Sequence, residues 1–416
     1  MGRDEIRENM PDPESVPAVT IPSGTEAGVP GDRSSVASSE PLAERAPPYA
    51  LALSALLPGG GHAAIGELLR GLFLLIPWGV LLGLAYWAWE RIAALGDASL
   101  DDYVAIVTLF GAMLLLWGWA LWDLAVRGRR AAARGDSQWA IAARQFKRNR
   151  LALVGLGILV LLYLVALLAP LIAPFDPIAQ NDIARTGFQP PGGTNILGTD
   201  RFGRDVLSRI IYGSRISLSI GFIATAISIT IGTLFGAAAG FFSGKVDAAI
   251  MRFTDMVLAF PRLVLLIMIV ALFDASIAVI IIVLGLTQWP GTTRIVRGDV
   301  LSLREREFIH AAQALGMSRA RIVLRHLIPN VLAPVIVTAT LGIGNTIVME
   351  AGLSFLGLGV QPPTPTWGSM VAEGRDNLLG AWWVATFPGL TIVLVVLAFN
   401  LVGDGLRDAL DPRLRT

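Results

Sequence analysis

Cysteine is absent from the 416 residues, so disulfides and thiolate metal sites are excluded. Histidine is nearly absent: His62, His310 and His326 are scattered. None has a second histidine four residues on, so no metal site is expected. Charge is scarce. Asp, Glu, Lys and Arg make up 16% of the chain, against about 25% in a soluble globular protein. The net charge of +1 gives no footing for nucleic acid. The first 48 residues are polar and contain no apolar h-region of a secretory signal. A nucleotide loop is missing too. Gly240-Phe241-Phe242-Ser243-Gly244-Lys245 approximates a P-loop, but position 239 is alanine where the first glycine is needed, and Val246 replaces the Ser or Thr.

What the chain has in excess is apolar length. Hydrophobic residues make up 54% and mean hydropathy is +0.63, the composition of an all-α, multi-span membrane protein. Uncharged runs near the roughly 20 residues needed to span a bilayer fall at 71–89, 103–122, 151–173, 216–242, 275–293, 327–349 and 377–403. A further run, 256–273, is interrupted by Pro261-Arg262. This predicts six spans after residue 150 and two before it. Residues 49–66 are uncharged but broken by Pro58-Gly59-Gly60-Gly61, which favours a short interfacial or re-entrant element over a full span. Residues 1–48, rich in Pro, Ser, Glu and Asp, read as a disordered tail. The resulting division is tail 1–48, membrane hairpin 49–126, basic linker 127–150 and main bundle 151–416.

Eight basic residues and one acid, Asp136, lie between Arg127 and Arg150. Seven arginines stand against Asp299, Glu305 and Glu307 between Arg294 and Arg325. Four spans separate these segments, so both fit the cytoplasmic side, with both termini there as well. Tyr86, Trp87, Trp89, Trp117, Trp119, Trp122, Trp382 and Trp383 sit near span ends and read as membrane anchors. Glu350, at a span end, is expected at the interface, and Asp274 in an external turn. No chain of buried carboxylates suggests a proton relay.

Residues 307–330, EFIHAAQALGMSRARIVLRHLIPN, are basic and amphipathic. Ser302-Leu303-Arg304-Glu305 fits a capping box, which predicts a helix from Ser302. Phe308, Ala311, Ala312 and Leu315 form one helical stripe. Gly316 suits a helix C-cap, Ser318 a second N-cap, and Pro329 an end. A short exposed helix with two alanines on its contact face is suited to a groove of another protein. The segment resembles the EAA loop of ABC-transporter permeases in His310-Ala311-Ala312, then Gly316, then His326-Leu327-Ile328-Pro329. His310 stands in place of the motif's glutamate and His326 in place of its isoleucine. The contact is therefore expected on Ala311, Ala312 and Gly316.

Four further stretches carry the same resemblance in the family's order. Leu197-Gly198-Thr199-Asp200-Arg201-Phe202-Gly203-Arg204-Asp205-Val206-Leu207-Ser208-Arg209 is similar to the LGTDxxGRDxxSR signature of the C-type subunit of the dipeptide/oligopeptide/nickel group. Its alternating acids and arginines read as a tight, ion-paired structural loop. Residues 241–255, 353–368 and 400–413 resemble the family's first cytoplasmic loop, last external loop and C-terminal signature. Gly232, Gly236, Gly240 and Gly244 repeat every fourth residue and form a helix-packing ridge, serving internal packing or a subunit interface. Residues 53–71 resemble the PG-x-G hairpin of small two-span bacterial membrane modules, and the addition before residue 135 departs from the usual six-span C-type subunit.

The resemblance implies a non-catalytic permease in a bacterial or archaeal cytoplasmic membrane, most naturally for di- or oligopeptides. Its implied partners are a homologous B-type permease, two ATPase subunits carrying ATP and Mg, and an external solute-binding protein; the chain itself would bind no cofactor and no metal. An ion-gradient-driven transporter is the competing reading. It would need intramembrane acids or helices broken at matching places in two repeats, and the sequence has neither. A membrane assembly protein built around the N-terminal hairpin is a third.

Overall fold

The computed structural model describes residues 50, 53–55, 57–64, 67–87, 100–126, 138–180, 183–273 and 276–410. The expected tail 1–48, linker residues 127–137, Trp89, Asp274 and the end of the C-terminal signature, 411–413, lie outside them. All extended regular structure among the described residues is helical, as the composition requires.

The N-terminal part comprises α1 (Gly60–Ala64), α2 (Leu68–Trp87) and α3 (Leu100–Val126). Within the expected short element at 49–66, the described helix α1 has five residues, about 7.5 Å in length. It lies against α2. A Cβ at Gly59 would overlap the Gly71 carbonyl oxygen, so the two backbones touch. His62 is buried and pairs through Nε2 with Asp123 Oδ2 at 3.2 Å, while Trp117 donates Nε1–H to the Ala55 carbonyl.

The main bundle contains α4 (Gln138–Arg148), α5 (Arg150–Leu167), α6 (Ala169–Ile172), α7 (Ile183–Thr186), α8 (Val206–Phe242), α9 (Gly244–Ala259), α10 (Arg262–Val270), α11 (Ile277–Arg304), α12 (Glu307–Ala314), α13 (Arg319–Ile322), α14 (Ile328–Phe355), α15 (Trp367–Gly374) and α16 (Trp383–Leu410). Side-chain caps fix many starts: Asn149 for α5, Asp205 for α8, Ser276 for α11, and a reciprocal Thr366–Ser369 capping box for α15. Leu81, Leu109 and Met113 of the N-terminal part pack in one cluster with Leu168 and Leu171 of the bundle.

Six helices are long and apolar enough to cross a membrane among the described residues, seven if α9 and α10 count as one bent span. Eight were expected. The difference lies in two places. The apolar part of α2 that is described is only Leu74–Tyr86, and the α9–α10 pair bends by 82° at Phe260-Pro261. Other spans are longer than their apolar runs. Residues 216–242 are the inner part of the 37-residue α8, whose polar first turns fold against the loop before it.

Helix α8 is the centre of the packing. Lipid offers no hydrophobic drive between helices, so close van der Waals fit decides. A Cβ at Gly232 would meet Thr292 Cβ at 2.5 Å, at Gly236 the Thr293 oxygen at 2.7 Å, and at Gly240 Val300 Cβ at 2.8 Å. The expected glycine ridge therefore serves packing of α8 on α11 within this chain. Gly244 is not part of it: α8 ends at Phe242, and Gly244 starts α9 with a positive φ and open space around it. Gly221 receives Ile347 of α14, and on the far side Gly155 and Gly405 bring α5 against α16.

Two other expectations are corrected, those for Ser302 and Trp383. Ser302 starts no helix, because α11 runs on to Arg304 with Val296 and Val300 buried below it. Glu350, five residues from the end of α14, is 1% exposed and accepts hydrogen bonds from Ser354 Oγ and Thr366 Oγ1. Trp383 is no lipid anchor; it is buried and donates Nε1–H to the Thr199 carbonyl at 3.1 Å.

Gly236→Val is expected to cost about 1–3 kcal/mol through overpacking. It should lower the melting temperature of the detergent-solubilised protein. Gly157→Ala on α5, where a Cβ meets nothing within 4 Å, should be neutral or stabilising in the same assay.

Candidate functional site

The first candidate site is the helix pair between α11 and α14. Helix α11 breaks at Glu305-Arg306, and α12 leaves at Glu307. Gly316 ends α12 at φ +74, with its N–H on the Gln313 carbonyl and the Met317 N–H on the Ala312 carbonyl. That is a Schellman closure, with Met317 packed against the same cluster as Ala312. Ser318 Oγ accepts from Arg321 N and starts α13, as expected. Pro329 does not end the second helix. A wider turn, Val323–Leu327, brings the Ile328 N–H to the Val323 carbonyl and carries the chain directly into α14. The extra residue in that turn accommodates the proline ring, which otherwise meets the carbonyl four residues back.

Burial splits the expected stripe. Ala312 is only 5% exposed and packs inward with Ile309, Ile322, Leu327 and Val331 against Ala237 of α8 and Val296 and Val300 of α11. It is unavailable for docking, which corrects its expected contact role. Phe308, His310, Ala311, Leu315 and Gly316 face outward, with Leu315 79% exposed. Leu324 of the second helix adds to this open apolar face. Pro329 is exposed beside it, and His326 is half-buried. The signal for Ile309 was present, since Ile309 and Ala312 are also three residues apart. Nothing local distinguishes that inward stripe from the adjacent outward one.

Basic side chains tie the neighbouring helix to this end. Arg297 forms a two-pronged ion pair with Asp247 of α9 at 2.5 and 2.6 Å, Arg294 pairs with Asp255 at 2.6 Å, and Arg304 donates to Ser243 Oγ.

The second candidate site is the signature loop at the opposite end of α14. Thr199 and Asp205 bridge across the turn that contains Gly203. Asp205 caps α8 by accepting from Ser208 N at 2.7 Å and also accepts from Asn195 Nδ2. Gly198 lies against the Trp383 indole and the Gln189 carbonyl, with no room for a Cβ. Asp200, Arg204 and Arg209 are each 2% exposed or less. Arg204 Nε reaches Asp200 at 2.6 Å, Arg209 pairs with the same carboxylate, and both arginines reach Glu373 of α15, at 2.9 and 2.6 Å. Two cations and two anions balance. The buried, neutral arrangement has the form of a clamp, as the ion-paired reading expects. Glu373 could not be anticipated: it lies 164 residues from Arg209, on a helix with its own capping logic.

Breaking a buried ion pair by removing one partner costs about 3–5 kcal/mol. Glu373→Ala should therefore lower the melting temperature sharply, and Glu373→Asp less so. Unchanged thermal stability of Glu373→Ala would overturn the clamp.

Residues 232–416 match the family model "Binding-protein-dependent transport system inner membrane component". Residues 137–191 match "N-terminal TM domain of oligopeptide transport permease C". A dipeptide transport system permease protein, DppC, of Alkalihalophilus pseudofirmus is 45% identical over 280 residues, 67% of this chain and 91% of that protein. DppC of Haemophilus influenzae is 44% identical, covering 65% and 93%, and the oligopeptide permease OppC of the same organism is 41% identical, covering 68% and 90%. Among solved structures, the inward-facing MetNI methionine ABC transporter aligns over 49% of this chain and 97% of that chain at 17% identity, with a TM-score of 0.41. The extent and depth of these sequence matches make the chain a member of the binding-protein-dependent transport permeases, of the OppC/DppC type.

Proposed function

We propose that the chain forms half of the translocation path of a di- or oligopeptide importer and receives its driving force from an ATPase subunit docked on residues 307–327. The carrying observation is the split face of that segment. Ile309, Ala312, Ile322 and Leu327 fuse it to α8, α11 and α14, while Phe308, Ala311, Leu315 and Leu324 are left open on the other side. A force on the open face moves a packed unit as a rigid body, because close-packed cores do not deform continuously. ATP and Mg reside on two partner ATPases, a homologous B-type permease supplies the other half of the path, and a solute-binding protein delivers the peptide. The docking face lies in the cytoplasm, on the side of the arginine-rich segments, together with both termini. The signature loop and α15 then face outward.

The division into tail 1–48, accessory hairpin 49–126, linker 127–150 and permease domain 151–416 belongs to the same proposal. The family matches begin at residue 137, and the cluster joining Leu109 and Met113 to Leu168 and Leu171 supports a packing role for the hairpin.

Leu315→Asp and Phe308→Asp should leave insertion and melting temperature unchanged. In the assembled transporter each should reduce peptide-stimulated ATPase activity by about tenfold, the equivalent of about 1.4 kcal/mol of docking energy. Ala312→Asp should instead lower stability itself. Full coupled activity of Leu315→Asp would overturn the proposed face. Deleting residues 1–135 should lower the yield of assembled complex by uncovering Leu168 and Leu171. Intact assembly with lost uptake would refute a packing role for the hairpin.

A further inference from the structure

Arg262 begins α10 immediately after the Pro261 bend. Its Nη2 donates to Gln288 Oε1 at 2.9 Å. The same oxygen accepts from Thr346 Oγ1 at 2.8 Å, and Thr346 meets Thr225 Oγ1 at 3.1 Å. Gln288 Nε2 faces the Gly342 carbonyl at 3.5 Å, and a Cβ on Gly342 would crowd that amide at 3.1 Å. Thr225, Gln288 and Thr346 belong to α8, α11 and α14, well inside three helices long enough to cross a membrane. The guanidinium is therefore held at depth in the bundle, not at its rim.

No carboxylate among the described residues pairs with it. The acids of the adjoining α9, Asp247 and Asp255, are taken by Arg297 and Arg294. Nε is buried without a partner, yet the side chain as a whole is only half-buried. Leu258, Phe260, Leu263 and Val264 around it are exposed, so this bend faces a side that the chain does not cover. A guanidinium does not deprotonate in proteins. A permanent cation at that depth is costly unless it meets an anion or a water-filled path.

We propose that Arg262 is a transient binding point for the carboxylate of the solute in transit, with Gln288 and Thr346 fixing the fork that receives it. The proposal rests on the peptide-importer reading. A planar guanidinium held on one edge presents its remaining donors in the geometry a carboxylate accepts. A carboxylate of the partner permease offers the same chemistry, and the test separates the two sources.

The absence of cysteine allows Arg262→Cys to carry a single thiol in this chain. The complete transporter, reconstituted in proteoliposomes with its binding protein, is assayed for uptake of a tripeptide and of its C-terminal amide, each saturating the binding protein. Arg262→Cys should lower uptake of the free acid by about tenfold or more and leave the amide unchanged. Aminoethyl methanethiosulfonate, which restores a cation at position 262, should recover uptake of the acid; a neutral methyl reagent should not. The wild-type transporter treated in parallel controls for thiols on other subunits. Equal loss for both peptides would overturn the proposal in favour of an ion pair within the assembly. Rescue by the neutral reagent, or undiminished uptake, would overturn it as well. If the wild type imports neither peptide, the importer reading fails. Reactivity of the Arg262→Cys thiol during ATP turnover then still reports whether the position lies on an aqueous path, and an unreactive thiol would overturn the assignment.

Discussion

The structure depends on the backbone contact between α8 and α11. Three glycines on α8 bring it against Thr292, Thr293, Val296 and Val300 so closely that no Cβ fits between them. In lipid this kind of contact replaces the hydrophobic drive of a soluble core, because apolar side chains gain nothing by leaving lipid tails for one another. It has a mechanical consequence. Helix α11 runs without interruption from Ile277 to Arg304, and its last buried residues, Val296 and Val300, are also the floor on which α12 and α13 rest. Residues 307–327 are thus attached to the closely packed α8–α11 pair.

The other end of α8 is fixed by a different interaction. Asp205 caps the helix, and Arg209 one turn later enters the four-charge cluster with Asp200, Arg204 and Glu373. Charges buried in this way need every partner in place, so the cluster specifies one docking of α15 on α8. Trp367 closes the same joint from α15, donating Nε1–H to the Ile210 carbonyl. Helix α8 is consequently held by electrostatics at one end and by steric fit along the rest. It packs with α11 and α14 through the same seams and core cluster.

Against this background the α9–α10 bend stands apart. Leu266 and Val270 of α10 are buried against α8 and α11, while Leu258, Phe260, Leu263 and Val264 around the bend are left uncovered. Pro261 makes the bend, and Arg262 aims a cation inward from it. The proposed solute contact of Arg262 belongs to this bend, while the glycine seam and the ion cluster pack the chain against itself.

Much was legible in the sequence because it depends on local pattern. Apolar runs gave the membrane class, Gly316 and Ser318 placed a turn between two short helices, and the alternating acids and arginines around Gly203 read as an ion-paired loop. Glycines every fourth residue on α8 marked a seam, although the identity of its partner stayed open. Only the tertiary structure decided which of two adjacent stripes on α12 turns inward, leaving Ala312 covered and Leu315 free. It alone brought Glu373 to Arg204 and Arg209, and Gln288 to Arg262. The physical reason is the same in each case. Helical periodicity fixes which residues share a face, but the direction of that face, and the partner of a buried charge, are set by elements tens to hundreds of residues away.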